Sequence, residues 1–448
     1  MSISPIEYRY GRKSVKDIFS EENRIKLMLD VELAVSTAQE EMLLIPEGSS
    51  RKLKDAIEKG ISPHRVKEIE EEIRHDIMAL ITAIAEKDTG LNFLHFGITS
   101  NDINDTATAL QIKEFFKYLL DDLYELQEAF AKLVRKYKLT PMLGRTHGQH
   151  ASPITFGLKM ASYLSEINRH IERSEEILPR ILVGKALGPV GTAASMGESG
   201  LEISKRAMKR LGLGSEIATG QIVSRDRYVE FLNMLSGIAA SLEKFATEVR
   251  NLQRPEIGEV MENFDSGKQV GSSSMPSKRN PIDSENVCSL SRIIRSMVTP
   301  EIEGSITWHE RDLTNSALER FTIPYSCILT DHILVKSTKI FTNLYVDEKR
   351  MLQNLDNSPL SISERVVTEL TLSGLNRQDA HELVRKASMN SYAMRKTFKE
   401  ALIEQKVSDH IAEDRLGEIL SPSSFIGSAG IICDEILKEA IKNGKRSK

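Results

Sequence analysis

The sequence is poor in the features that mark several common protein classes. Its 448 residues include three cysteines, Cys288, Cys327 and Cys433, far apart and odd in number. No CxxC pair or zinc-type spacing joins them, so they read as reduced thiols of a cytoplasmic protein and not as a disulfide framework. No uninterrupted apolar run is long enough to span a bilayer. The opening MSISPIEYRYGRK lacks the apolar stretch of a secretory signal. A basic excess is missing too. The formal net charge is −4, which leaves no global field to attract nucleic acid. A Walker-type GxxxxGK-Ser/Thr loop is absent, and so is HExxH. Histidines at 75, 95, 147 and 150 suggest a metal site in a helical bundle, but the paired ExxH elements of a di-iron bundle are lacking. Neither strand–helix alternation nor an internal repeat is present.

What is present is helical periodicity. Between residues 105 and 137, Leu110, Phe115, Leu119, Leu123, Leu126, Phe130 and Val134 recur at spacings of three to five with no proline or glycine among them. That spacing predicts one long amphipathic helix, with Thr99, Ser100 and Asp102 as capping candidates before it. Further long helical stretches are predicted near 154–181, 225–251, 282–297 and 314–345. Such lengths exceed the ~10–14 residues of an ordinary helix and pack most readily as a bundle. Flanking segments are shorter, with helices predicted over 24–43 and 64–87 and breaks at Pro359, Gly374 and Pro422. The expectation is an all-α chain of three helical domains, 1–97, 98–356 and 357–448, the middle one a long-helix bundle.

Residues 267–281, GKQVGSSSMPSKRNP, stand apart, with glycine, serine, proline and basic side chains and too little apolar content to join a core. A polar connection of this length between helices is commonly functional. The string GSSSMPSKRNP resembles the GSSxMPxKxNP signature of the fumarase/aspartase superfamily at every fixed position. LHFGITSNDINDT (94–106) and GRTHGQHASP (144–153) are similar to that superfamily's first and second conserved regions and occur in the same order. Within it, YRYGR (8–12), RHDIMAL (74–80), TGQIVSRDR (219–227) and WHERDLTNSALER (308–320) resemble segments of the adenylosuccinate lyase family. Ser277 departs from the histidine that many relatives carry in the loop.

The resemblance implies β-elimination of fumarate from a succinylated nitrogen. That reaction needs a base for a weakly acidic C–H, a stabiliser for the carbanion, and an acid for the leaving nitrogen. None of these requires a metal or an organic cofactor. The resemblance gives the base role to Ser272, whose hydroxyl works as a base only where positive charge favours its alkoxide. Lys278 is placed to supply that charge and to stabilise the carbanion. The acid is His147, with His75 a second candidate for acid or phosphate contact. Histidine suits such work because it titrates near working pH. Glu285 is expected to orient a histidine.

Substrate contacts are expected from Arg9, Tyr10, Asp76, His95, Thr99, Ser100, Gln221, Met275, Asn280, Arg311, Ser316 and Arg320. Arginine forks match phosphate, and the start of a long helix favours anions as well as ordinary capping. The implied partner is a small nucleotide, with no nucleic acid and no membrane. The implied assembly is a homotetramer whose active sites are shared between subunits. Argininosuccinate lyase and carboxymuconate cycloisomerase carry the same loop and form the alternative reading.

Overall fold

The structure is a computed structural model that describes residues 3–263, 274–275 and 277–446. Among the described residues helices dominate, and the strands form three two-stranded sheets. The long helices appear where the periodicity places them, at Ser100–Tyr137, Phe156–Ile181, Asp226–Leu252, Ile282–Ser296 and Ser316–Thr342. The first begins five residues before the expected start at 105, with Ser100 already in the helix. By contact the chain divides into two compact units. One comprises Met1–Leu123, His170–Glu243 and Val287–Val335; the other comprises Tyr124–Arg169, Lys244–Asn286 and Lys336–Lys448. The long helices contribute residues to both.

In the second unit Phe130, Tyr163, Phe245 and Phe341 form an aromatic core. Tyr163 stacks on Phe245 with centroids 4.3 Å apart, and Phe341 lies 4.5 Å from Phe130. Such pairs add roughly 0.5–1.5 kcal/mol beyond the area they bury. Helical periodicity gave no sign of the antiparallel ribbon Pro141–Thr146 with Gln149–Thr155. The reason is its turn. Thr146 pairs with Gln149 across His147 and Gly148, whose φ values are +53° and +72°. A two-residue hairpin turn of this kind needs positive φ at both central positions. Glycine adopts it freely, and histidine is among the side chains enriched there.

The ribbon is pinned from below. Arg145 donates both arms of its fork to the buried Glu259 carboxylate at 2.7 and 2.9 Å, and Asn354 donates to the same group at 2.8 Å. Toward the C-terminus, Val366, Leu370, Val384, Phe398, Leu402 and Leu416 form a separate core. Its helices are short, as the breaks at Pro359 and Gly374 indicate.

In the first unit the helix Glu21–Glu41 starts on Ser20, whose hydroxyl accepts from the Asn23 N–H. Its Ile25, Met28 and Val35 pack with Ile77, Leu80 and Ile84, and with Ile103 and Leu110. The single helix expected over 64–87 is two, Pro63–Ile73 and Asp76–Ala85. Arg74 takes a left-handed conformation, φ +55°. His75 then turns extended and caps the second helix, its Nδ1 accepting from Met78 N–H at 3.3 Å. Hydrophobic spacing continues through the joint, so periodicity alone reads it as one element.

Fully buried in this unit is an ion pair, Lys185 Nζ to Asp102 Oδ1 at 2.5 Å. Asp102 also accepts backbone N–H groups from Thr99, Leu187 and Gly188 at 2.9, 3.1 and 2.9 Å. Burial pushes its carboxyl up, against the pull of Lys185 and these donors. Removing one partner of such a pair strands the other charge. Lys185→Met is therefore expected to cost about 3–5 kcal/mol, read as a lowered denaturation midpoint. The double variant Lys185→Met, Asp102→Leu is expected to stay destabilised, because three backbone donors lose their acceptor.

Candidate active site

Several helices of the first unit begin around one cavity of about 550 Å³. Glu21, Asp76, Ser100 and Ser316, the first residues of four helices, line it. Arg225, immediately before the helix Asp226–Leu252, lines it too. Each helix start carries roughly half a positive charge, together with the N–H groups that caps such as Ser20 and His75 do not take. Gathering them around one space makes a site for anions.

The side chains extend that field. Arg24, Arg74, Arg225, Arg311 and Arg320 all line the cavity. Arg225 is neutralised where it stands, bidentate to Asp105 at 2.7 and 2.9 Å and to Glu319 at 2.7 and 3.1 Å. Arg24 lies 3.6 Å from Asp76. Among the described residues Arg74, Arg311 and Arg320 form no ion pair. Arg311 is held by amides instead. Its Nη1 donates to Gln221 Oε1 at 3.1 Å and to the Asn101 amide oxygen at 2.6 Å, in the amide orientation that satisfies both groups. Burial draws the Arg311 guanidinium below its ordinary value. Asp105 and Glu319 oppose that shift and Arg225 adds to it.

Of the residues singled out from sequence, His75, Asp76, Ser100, Arg311, Ser316 and Arg320 line this cavity. His75 spends its Nδ1 lone pair on the cap, which leaves Nε2 as the proton-bearing nitrogen of the neutral ring. Gln221 reaches the cavity through Arg311. Thr99 is not in the lining, and its N–H is taken by Asp102. His95 is also elsewhere, bonded through Nδ1 to buried Glu32 at 2.6 Å. Burial opposes a charged imidazole there, but the bond and charge of Glu32, with Asp102, outweigh it and lift His95 above its ordinary value. Arg9 is exposed with its guanidinium 6.0 Å from the Tyr10 ring, and that ring packs edge-on against His332.

The remaining candidates belong to the second unit. His147 is exposed on the ribbon turn. Met275, Lys278 and Asn280 precede the helix Ile282–Ser296, and Glu285 is exposed in its first turn. Ser272 lies outside the described residues. Asn101, Asp105, Arg225 and Glu319 were not singled out, although each stands inside a quoted motif. Their signal is a polar side chain on the inward face of a helix start, which becomes visible only once the partner helices are placed.

Helix starts around a cavity lined by arginines, on a chain that carries the sequence GSSSMPSKRNP, fit a lyase of the fumarase/aspartase class. Residues 8–295 match the family model described as "Lyase", and residues 359–436 the one described as "Adenylosuccinate lyase C-terminus". The adenylosuccinate lyase of Methanocaldococcus jannaschii is 43% identical over 99% of this chain and 97% of its own. That of Archaeoglobus fulgidus is 44% identical over 96% of both. Among solved structures, a fumarate lyase from Mesorhizobium sp. BNC1 superposes with a TM-score of 0.87 at 30% identity, covering 96% of this chain and 98% of that one. A 3-carboxy-cis,cis-muconate lactonizing enzyme from Pseudomonas putida gives 0.88 at 28%, covering 98% and 99%. The chain belongs to the adenylosuccinate lyase family.

Glu301, buried in the helix Val298–Gly304, feels the same charges. One carboxylate oxygen accepts from Thr322 at 2.7 Å, and the other has no partner among the described residues. Burial pushes its carboxyl up to about 7; Glu319 adds to the shift, while Thr322 and Arg225 oppose it. An acid raised on folding stabilises the fold while protonated. That contribution is complete below about pH 4.3, the value of a free glutamate, and is lost as pH climbs through about 7. It amounts to something on the order of 3 kcal/mol. Glu301→Gln is expected to remain neutral throughout and to hold its denaturation midpoint better than the wild type between about pH 5 and 8. Parallel loss in both chains rules Glu301 out as the titrating group.

Proposed function

We infer that the chain is an adenylosuccinate lyase, eliminating fumarate from adenylosuccinate to leave AMP. The same elimination is expected on succinyl-aminoimidazole-carboxamide ribotide. The observation that carries this reading is the near full-length identity of 43–44% to adenylosuccinate lyases, against 28–30% to solved structures of other named activities. The cavity supports it. Arg311, Ser316 and Arg320 sit where helix starts favour an anion, as the phosphate end of a nucleotide requires.

In this mechanism Ser272, as alkoxide, takes the proton next to a carboxylate of the succinyl group. The electron pair is held as a carboxylate-stabilised carbanion, with Lys278 and Asn280 supplying positive charge and a donor. His147 or His75 protonates the nitrogen as the C–N bond breaks. Glu285 orients a histidine. Met275, Thr99 and Ser100 shape the succinyl end, and Gln221 bonds the succinyl group or the base. The family resemblance also assigns Arg9, Tyr10, Asp76 and His95 to the nucleotide, and of these four Asp76 lines the cavity. Elimination of this kind runs without a redox or organic cofactor.

The expected working form is a cytoplasmic homotetramer with sites built from more than one subunit. No described helix is long and apolar enough to cross a membrane.

The direct test follows absorbance as adenylosuccinate becomes AMP, with argininosuccinate as comparator. Turnover of argininosuccinate alone overturns the substrate assignment. Ser272→Ala, in protein that still folds and assembles, is expected to lose roughly 10²- to 10⁴-fold in kcat with KM little changed. Retained turnover removes Ser272 from the base role.

A further inference from the structure

We propose that Asn101 is a positioning residue that keeps the charge of Arg311 available to the substrate's phosphate, by holding the guanidinium with a neutral carbonyl where a carboxylate would cancel it. This rests on the reading of Arg311 as a phosphate contact.

Two arginines in one cavity are treated in opposite ways. Arg225 is buried against two carboxylates, Asp105 and Glu319, and donates also to the Val223 carbonyl at 2.8 Å. Its positive charge is more than balanced, and these partners lift its guanidinium despite burial. Arg311 receives two amide oxygens, from Asn101 and Gln221. An amide oxygen satisfies an N–H as a carboxylate does, but carries no formal charge to cancel the cation. The direction of donors is fixed and the field stays open toward the cavity.

Stability alone favours an acid at position 101. The residue is 4% exposed and stands in the first turn of the helix Ser100–Tyr137, where a negative charge gains from the helix dipole. It also faces a half-buried guanidinium, and an acid there makes an ion pair. The nearby acids are already committed, Asp102 to Lys185 and Asp105 to Arg225. A neutral amide at this place forgoes that gain and leaves a half-buried cation with no ion pair among the described residues, which costs stability until an anion arrives. The arrangement makes sense for a site whose counter-ion is the ligand.

The test is Asn101→Asp, a change of one functional group at constant shape, with Asn101→Ser as a neutral acceptor. Full-length wild type and variants are compared for KM on adenylosuccinate and for affinity toward AMP, inorganic phosphate and adenosine by calorimetry. Asn101→Asp is expected to keep or raise the denaturation midpoint while weakening AMP and phosphate, and raising KM, by roughly tenfold or more. Adenosine binding and kcat are expected to change little. Asn101→Ser, which gives up part of the hold on Arg311 but adds no charge, is expected to weaken AMP and phosphate less than Asn101→Asp does. A merely structural asparagine predicts the reverse ranking or equal losses for adenosine and AMP. Either result overturns the proposal, as does AMP affinity of the Asp variant within about twofold of wild type.

If Asn101→Asp does not assemble, Asn101→Leu decides. Its AMP affinity is expected to keep the salt dependence of the wild type, because Arg311 stays charged and uncancelled. Loss of that dependence overturns the proposal. Failure of the wild type to turn over adenylosuccinate sinks the functional reading separately, and the phosphate titrations still decide the role of Asn101.

Discussion

The first unit is organised by an electrostatic compromise. Starting several helices around one cavity points their positive ends at each other, and five arginines are added to the same wall. Left alone, that arrangement repels itself. Asp105 and Glu319 absorb Arg225, Asp76 approaches Arg24, and Asp102 absorbs Lys185 beneath them. The compensation is selective. It reaches Arg24, Arg225 and Lys185 and stops short of Arg74, Arg311 and Arg320, which have no ion pair among the described residues, where a phosphate is proposed to bind. Glu301, with an orphan oxygen and a raised carboxyl, is the price of placing one more acid behind that wall.

The second unit holds its candidate residues by different means. His147 is presented by a backbone turn that few side chains accept, on a ribbon fixed by a buried arginine–glutamate fork. Asp283 and Ser284 N–H groups, at the start of the helix that carries Glu285, are received by Glu262 at 3.2 and 2.6 Å. Backbone anchoring of this kind would suit the proton transfer proposed for His147, because a small displacement of donor or acceptor is felt directly in the rate. Charge gathered through space suits an anchor for a phosphate, where direction matters less.

Much of this was legible in the amino acids. The long helices follow from apolar spacing, because burial on one face dominates helix choice in a bundle. Motif context singled out Arg311, Ser316 and Arg320, and these three share a cavity wall as residues near one helix start must. The break at Arg74 was not legible, since its cause is a left-handed residue and a histidine cap inside an unbroken apolar pattern. Nor was the ribbon at 141–155, which depends on positive φ at His147 and on a close approach at Gly157. A Cβ at Gly157 would lie 2.4 Å from the Lys138 Cα. The amides on Arg311 were hidden for another reason: Asn101 and Gln221 are 120 positions apart, and neither shows a charge to notice.

The fork between Arg145 and Glu259 closes a gap of 114 residues, and Asn354 joins the same carboxylate from 95 residues further on. Contacts this remote form late, since the intervening chain must first be gathered. A nascent polypeptide emerging from the ribosome holds the ribbon with no carboxylate beneath it until more than a hundred further residues are made, and complete support waits for about two hundred. The segment bearing His147 therefore gains its side-chain support only long after its own residues are made, and until then its strand edges stand without that brace.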